Sequence, residues 1–189
     1  MLPLNLPNVL TVVRILLVPV LVVALLVETP HGSTIAAVVF AVAALTDGLD
    51  GYIARSRDTI TTFGKVMDPI ADKLLIAAAL ISLVSLDRLA AWVAMVVIAR
   101  EFAVSGLRIA AAQHGAIIPA SLLGKAKTIV QVGAVLALIA ADRHAAWVQA
   151  LVYAMVAITV VSGVDYFLNV RRRIEQARRR GRPEPAGRV

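Results

Sequence analysis

The chain has 189 residues, 60% of them hydrophobic, and a mean hydropathy of +0.85; soluble domains of this size are about 45–50% apolar, so an ordinary soluble globule is excluded and an integral membrane protein of one compact domain is indicated. The absence of cysteine excludes disulfide and thiolate chemistry. The formal charge of +7 is concentrated, with eight of the 19 Lys and Arg residues after residue 170, and it describes a tail more than a nucleic-acid surface, so no nucleic-acid partner is expected.

A helix needs about 20 apolar residues to cross a bilayer. Six candidate spans follow along the chain, at about 7–27, 34–54, 61–86, 88–113, 120–141 and 146–170. The breaks "ETPHGS", "SLDR" and "ADRH" carry turn signals. Pro7 suits the first turn of the first span. Arg14 sits inside that span and no small-residue cleavage site follows, which argues against a cleaved secretory leader. Ala, Val, Leu and Ile with scattered Gly make up the spans, and such small residues permit close helix approach in lipid.

Basic residues alternate between the connections. Loop 28–33 has none, and Arg88 and Arg143 stand alone in theirs. Arg55, Arg57 and Lys65 crowd the second connection, Arg108, Lys125 and Lys127 the fourth. By the positive-inside rule both termini are cytoplasmic. The charge-free runs of spans four and five, "LAAWVAMVVIA" and "TIVQVGAVLALIAA", hold 11 and 14 residues, too short to cross alone. Their helices must therefore take in Arg100, Glu101 and Arg108, or Lys125 and Lys127, and ionisable groups at that depth usually line a cavity. The expected fold is an all-α integral membrane protein, a six-transmembrane-helix bundle with a polar cavity open to the cytoplasm. Residues 1–170 form the membrane domain, and 171–189 a basic tail, briefly helical and then partly disordered. That tail suits a topology anchor or anionic lipid headgroups.

The stretch "TDGLDGYIARSRDTITTFGKVMDPIADK" at 46–73 breaks the apolar pattern. Asp47 and Asp50 are spaced i, i+3, and Asp68 and Asp72 i, i+4, so each pair lies on one helical face. Four carboxylates facing one another would repel strongly unless compensated. A pair of hard divalent cations such as Mg²⁺ balances them, and such ions usually complete their shells with substrate phosphates. A two-ion site suits displacement at phosphorus. The alternative is a loop network in which Arg55, Arg57, Lys65 and Lys73 pair with the acids. Helical registry and the small residues Gly51, Ala54 and Gly64 argue against it, because small residues let a ligand approach the backbone. Asp58 falls outside the registry and reads as ordinary loop.

The pattern Asp47-x-x-Asp50-Gly51-x-x-Ala54-Arg55, eight residues, then Gly64-x-x-x-Asp68-x-x-x-Asp72 resembles the signature of the CDP-alcohol phosphatidyltransferases. The resemblance implies a metal site from Asp47, Asp50 and Asp68, with Asp72 as metal neighbour and general base, and Mg²⁺ or Mn²⁺ as the ions. Gly51, Ala54, Arg55 and Gly64 would surround the cytidine diphosphate group of a CDP-lipid, from which an alcohol displaces CMP. The segments "NVLTVVRILLVP", "AREFAVSGLR" and "GKAKT" resemble the bacterial phosphatidylglycerophosphate synthase branch. That branch implies CDP-diacylglycerol and sn-glycerol 3-phosphate as partners, a bacterial cytoplasmic membrane, membrane lipids around the bundle and a homodimer.

A phosphorylated acceptor needs its own cations, and Arg100, Arg108, Lys125 and Lys127 supply them, Arg by bidentate contact and Lys as a point charge. Glu101 beside Arg100 is expected to orient an arginine. Asn8, Thr11 and Arg14 share a face that either reaches the acceptor phosphate or headgroup region, or carries a snorkelling arginine. "LLGKAK" is no P-loop, since Pro119 stands where its first glycine belongs. Trp92 and Trp147 suit an interface belt, His31, His114 and His144 have no metal-ligand spacing, and Asp165 is either cavity or packing. Other acceptors within the family are inositol 1-phosphate, serine or a phospholipid. A divalent-cation transporter is disfavoured, because the outer halves of the spans are almost wholly apolar.

Overall fold

The computed structural model describes the backbone of residues 6–27, 29–57, 62–113 and 122–180, and side chains at 9–27, 29–46, 67, 70–113 and 122–173. Among the described residues the fold is all helical, with α1 (Leu6–Leu26), α2 (Gly32–Arg57), α3 (Thr62–Ser85), α4 (Ala91–Gln113), α5 (Leu122–Ala140) and α6 (Ala146–Arg180). Five boundaries fall within a few residues of the expected spans. The sixth begins where expected, and α6 carries on past 170 through the arginine-rich segment to Arg180, the helical start expected of the tail. Straight-chain Arg, Gln and Glu cost a helix little, so nothing in 171–180 stops it. Residues 181–189 lie outside the described residues.

Among the described residues three helices are long and apolar enough to cross a bilayer by length and composition: Val9–Leu26, Leu122–Ala140 and Ala146–Arg173. The apolar part of α2, Gly32–Thr46, is shorter. The α5 window qualifies only by taking in Lys125 and Lys127, as its short charge-free run requires.

The helices pack as a bundle in which α1 lies on α2 and α3, α6 on α4 and α5, α2 on α5 and α3 on α4. Leu21, Phe40, Leu80, Leu83, Leu138 and Met155 are fully buried between them. Ala36, Ala43, Ala71, Ala79 and Ala134 are equally buried, so the backbones approach closely, as association in lipid demands. Val104, Ala111, Tyr166 and Val170 form a second, smaller cluster between α4 and α6. Outward faces are apolar too, with Leu16, Leu45, Met95, Ile129 and Tyr153 exposed. Such a surface suits lipid, where helices satisfy their own backbone groups.

Polar groups gather at two ends. At one end are residues 27 and 29–31 and the loops 86–90 and 141–145. There Asp87 adopts a positive φ of 53° and ends α3, with Arg88 N–H donating to Leu83 O at 2.8 Å. The Arg88 guanidinium donates to Ile139 O at 2.9 Å and to Leu138 O at 3.5 Å. It thus caps carbonyls that the end of α5 leaves unpaired, where the helix dipole favours a cation. Arg143 donates to Asp87 O, and His144 accepts from Arg143 Nε at 3.0 Å. Trp92 and Trp147 are exposed near the same end. Arg88→Ala should lower the stability of the detergent-solubilised protein by about 1.5–3 kcal/mol, the worth of a charged hydrogen-bond donor. A thermal melt checks this.

Candidate functional site

At the other end lie the N-terminal half of α3, the C-terminal half of α4, the N-terminal half of α5 and the C-terminal half of α6. A cavity of about 270 Å³ opens between them, lined by Asp72 and Lys73 of α3, Arg100, Glu101 and Arg108 of α4, Lys125 and Lys127 of α5, and Tyr166 of α6. Five basic side chains thus face it against two carboxylates. A narrower cavity of about 60 Å³ continues from it, sharing Asp72, Lys73, Glu101, Lys127 and Thr128 and adding Gln131 and apolar wall from Leu75, Ile76 and Val132.

Helix geometry explains the gathering. Arg100 and Arg108 lie two turns apart on α4, and Lys127 and Gln131 one turn apart on α5. Short connections run neighbouring helices in opposite directions, so these segments meet at one end. Glu101 is the joint. Its Oε1 accepts from Arg100 at 3.0 Å and from Lys127 Nζ at 2.5 Å. Arg100 also donates to Ser162 Oγ at 3.0 Å, and Ser162 donates to Thr159 O at 3.2 Å. One carboxylate thereby ties α4, α5 and α6. Gly163 makes room for this, since a Cβ there would sit 3.2 Å from Arg100 Cγ. Arg108 stands over the Tyr166 ring, 5.8 Å from its centroid, a cation–π contact that leaves the other face of the guanidinium to a ligand. Ser105 and Thr128 spend their hydroxyls on backbone carbonyls one turn back, at 2.8 and 3.2 Å.

Four of the five expected phosphate-binding residues, Arg100, Arg108, Lys125 and Lys127, therefore line one cavity. They are not equivalent. Lys127 is buried and committed to Glu101, and Arg100 is held at both ends of its guanidinium. Arg108 and Lys125 are exposed and front the opening. Arg14, the fifth, is fully buried on α1 beside buried Thr11, away from the snorkelling position, and it is not among the residues lining either cavity. Glu101 orients Arg100 as its position suggests; its second partner, Lys127, is a contact between helices that spacing along the chain does not reveal. Asp165 accepts from Asn169 at 3.1 Å and lines neither cavity.

Of the aspartate quartet, Asp72 is described, half-buried where the two cavities join. The backbone is helical through Asp47 and Asp50 on α2 and through Asp68 and Asp72 on α3, so the i, i+3 and i, i+4 spacings are helical ones. The side chains of Asp47, Asp50, Asp58, Gly51, Ala54, Arg55, Gly64 and Asp68 lie outside the described residues, as do those of Asn8 and His114. Among the described residues no cluster of three or more metal-ligating side chains occurs. Carboxylates are the hard oxygen donors that Mg²⁺ and Mn²⁺ prefer, and Asp72 brings one to a cavity otherwise rich in cations.

Three contributors are not apparent from charge patterning: Gln131, Ser162 and Tyr166. Gln131 interrupts the apolar run 129–141 one turn from Lys127, and Ser162 and Tyr166 lie one turn apart on α6. That combination is the signal by which they could have been found.

Comparison with known proteins bears on the same residues. The family model described as CDP-alcohol phosphatidyltransferase matches residues 4–162. A Bacillus subtilis protein named CDP-diacylglycerol–glycerol-3-phosphate 3-phosphatidyltransferase is 41% identical over 180 residues, covering 86% of this chain and 93% of its own length. A Rickettsia felis protein of the same name is 37% identical over 169 residues, covering 86% and 93%. A Mycobacterium tuberculosis protein named probable phosphatidylglycerophosphate synthase is 42% identical over 168 residues, covering 86% and 79%. With a family model that spans most of its length and relatives of this identity and coverage, the chain belongs to the CDP-alcohol phosphatidyltransferase family.

Proposed function

We propose that this protein transfers the phosphatidyl group of CDP-diacylglycerol to sn-glycerol 3-phosphate, giving phosphatidylglycerophosphate and CMP in phospholipid biosynthesis. The observation that carries the reading is the cavity in which Asp72 stands beside five basic side chains. A metal-binding carboxylate suits a diphosphate donor, and a separate cation set suits an acceptor that is itself a phosphate. The names of the relatives agree with both substrates.

In this mechanism Arg108 and Lys125 hold the acceptor phosphate, the arginine through two parallel hydrogen bonds and the lysine as a point charge. Glu101 fixes Arg100 and Lys127 as the wall behind them. So placed, the acceptor presents its far hydroxyl to Asp72, which takes the proton as the oxygen attacks phosphorus. A bond forms from that oxygen to the phosphatidyl phosphorus, and the bond from phosphorus to the CMP oxygen breaks. Asp47, Asp50, Asp68 and Asp72 would hold a pair of divalent cations, Mg²⁺ or Mn²⁺, which when bound would neutralise the donor diphosphate and the charge on departing CMP. Gly51, Ala54 and Gly64 leave room for the cytidine diphosphate beside Arg55, and the acyl chains stay in lipid.

The same reading makes all six helices membrane spans, with both termini and the cavity on the cytoplasmic side of a bacterial inner membrane. Its support is the alternation of basic connections and the apolar outer faces. A homodimer fits the small exposed residues Ala103, Gly106 and Ala110 on α4.

Purified protein given labelled CDP-diacylglycerol should release CMP with glycerol 3-phosphate and far more slowly with inositol 1-phosphate, serine or phosphatidylglycerol. A preference for one of those three would overturn the acceptor. EDTA should stop release and added Mg²⁺ or Mn²⁺ restore it, in detergent and with no vesicle present, which a cation transporter would not do. Asp72→Asn should cut kcat by roughly 10²–10⁴; near wild-type turnover would sink the base assignment. Arg108→Ala and Lys125→Ala should each raise the KM for glycerol 3-phosphate on the order of ten- to a hundredfold. The KM for CDP-diacylglycerol should stay nearly constant, as initial-rate kinetics with each substrate varied would reveal.

A further inference from the structure

Gln131 stands apart from the charged set. It lies in the middle of α5, is 2% exposed, and neither its Nε2 nor its Oε1 has a hydrogen-bond partner. A buried polar group left unpaired costs about 1–3 kcal/mol, and in an apolar bundle an isosteric Met would avoid that cost. Gln131 lines the inner cavity of about 60 Å³ together with Asp72, Lys73, Glu101, Lys127 and Thr128. The walls beside it are the apolar Leu75, Ile76 and Val132. Thr128 donates to Gly124 O, and Lys127 and Glu101 bond each other. Gln131 is the polar group of this inner cavity whose donor and acceptor are both uncommitted among the described residues.

We infer that the Gln131 amide is a specificity-determining residue that binds a neutral hydroxyl of the acceptor, the one that does not react. This rests on the proposed acceptor, glycerol 3-phosphate. The wide outer cavity carries the cations and takes the phosphate. Asp72 lines both cavities and faces the attacking hydroxyl. The remaining hydroxyl, on the carbon between these two groups, then turns into the inner cavity, whose volume suits a fragment of that size. A hydroxyl both donates and accepts, and a primary amide offers the matching pair. An acceptor without that hydroxyl would leave the buried amide unpaired, which is how a polar site rejects an apolar analogue.

The test compares kcat/KM for glycerol 3-phosphate with that for 3-hydroxypropyl phosphate, which keeps the phosphate and the reacting hydroxyl and lacks only the middle one. The wild-type protein should prefer glycerol 3-phosphate by at least about tenfold. In Gln131→Met the preference should fall to within about threefold of unity, with the KM for CDP-diacylglycerol unchanged. Gln131→Met should also melt a few degrees higher than wild type without acceptor, because it removes an unpaired polar group. Gln131→Asn keeps the amide and shortens its reach, and should lose the preference as well, so the inference does not hang on one variant folding. A wild-type preference retained in both variants overturns it while leaving the acceptor reading intact. A wild-type protein inert to glycerol 3-phosphate overturns both.

Discussion

A carboxylate inside an apolar helix bundle must be bonded to cations or lose its charge, and Glu101 meets that requirement by binding Arg100 and Lys127 at once. Desolvation makes an isolated ion in such a place prohibitively costly. The pairing spares the protein that cost and at the same time fixes the relative positions of α4 and α5. Through Arg100 and Ser162 the constraint reaches α6. Everything else at this end is arranged around it. Arg108 and Lys125 can remain at the opening because the deeper cations are already satisfied. The cavity keeps an excess of positive charge, since one of its two carboxylates is consumed by the wall and the other, Asp72, stands at the junction with the inner pocket.

The two ends of the bundle divide labour along the same physical line. Loops 86–90 and 141–145 close with helix caps made by Arg88 and Arg143, so their cations are used on backbone carbonyls. At the cavity end the cations are bound to a side chain or left at the surface, where an anion can reach them. A capped end is a structural device, and an end with cations at its surface and an uncommitted amide keeps polar groups that its own packing does not use.

Much of this was legible in the sequence because charge in an apolar chain is conspicuous. The short charge-free runs of spans four and five forced Arg100, Glu101, Arg108, Lys125 and Lys127 into their helices, and these residues meet in one cavity. Registry of the aspartates followed from spacing alone. What spacing cannot give is contact between helices. Glu101 holding Lys127 depends on how α4 and α5 are both set against α6, and only the burial of Arg14 on α1 tells it from a surface snorkeller. Gln131 was hidden for another reason: it is neutral, and one amide among valines barely changes hydropathy. The helical start of the arginine-rich tail was legible because nothing in it breaks a helix; how far it runs, to Arg180, was not.

The central claim is that the α3–α6 cavity receives the acceptor's phosphate from one face of the membrane. The chain has no cysteine of its own, so a single Ser105→Cys in this cavity can be followed with a membrane-impermeant thiol reagent in sealed vesicles of both orientations. Labelling should occur only from the face that carries the basic tail, and glycerol 3-phosphate should slow it while glycerol does not. Labelling from the opposite face, or a rate indifferent to glycerol 3-phosphate, would contradict the claim.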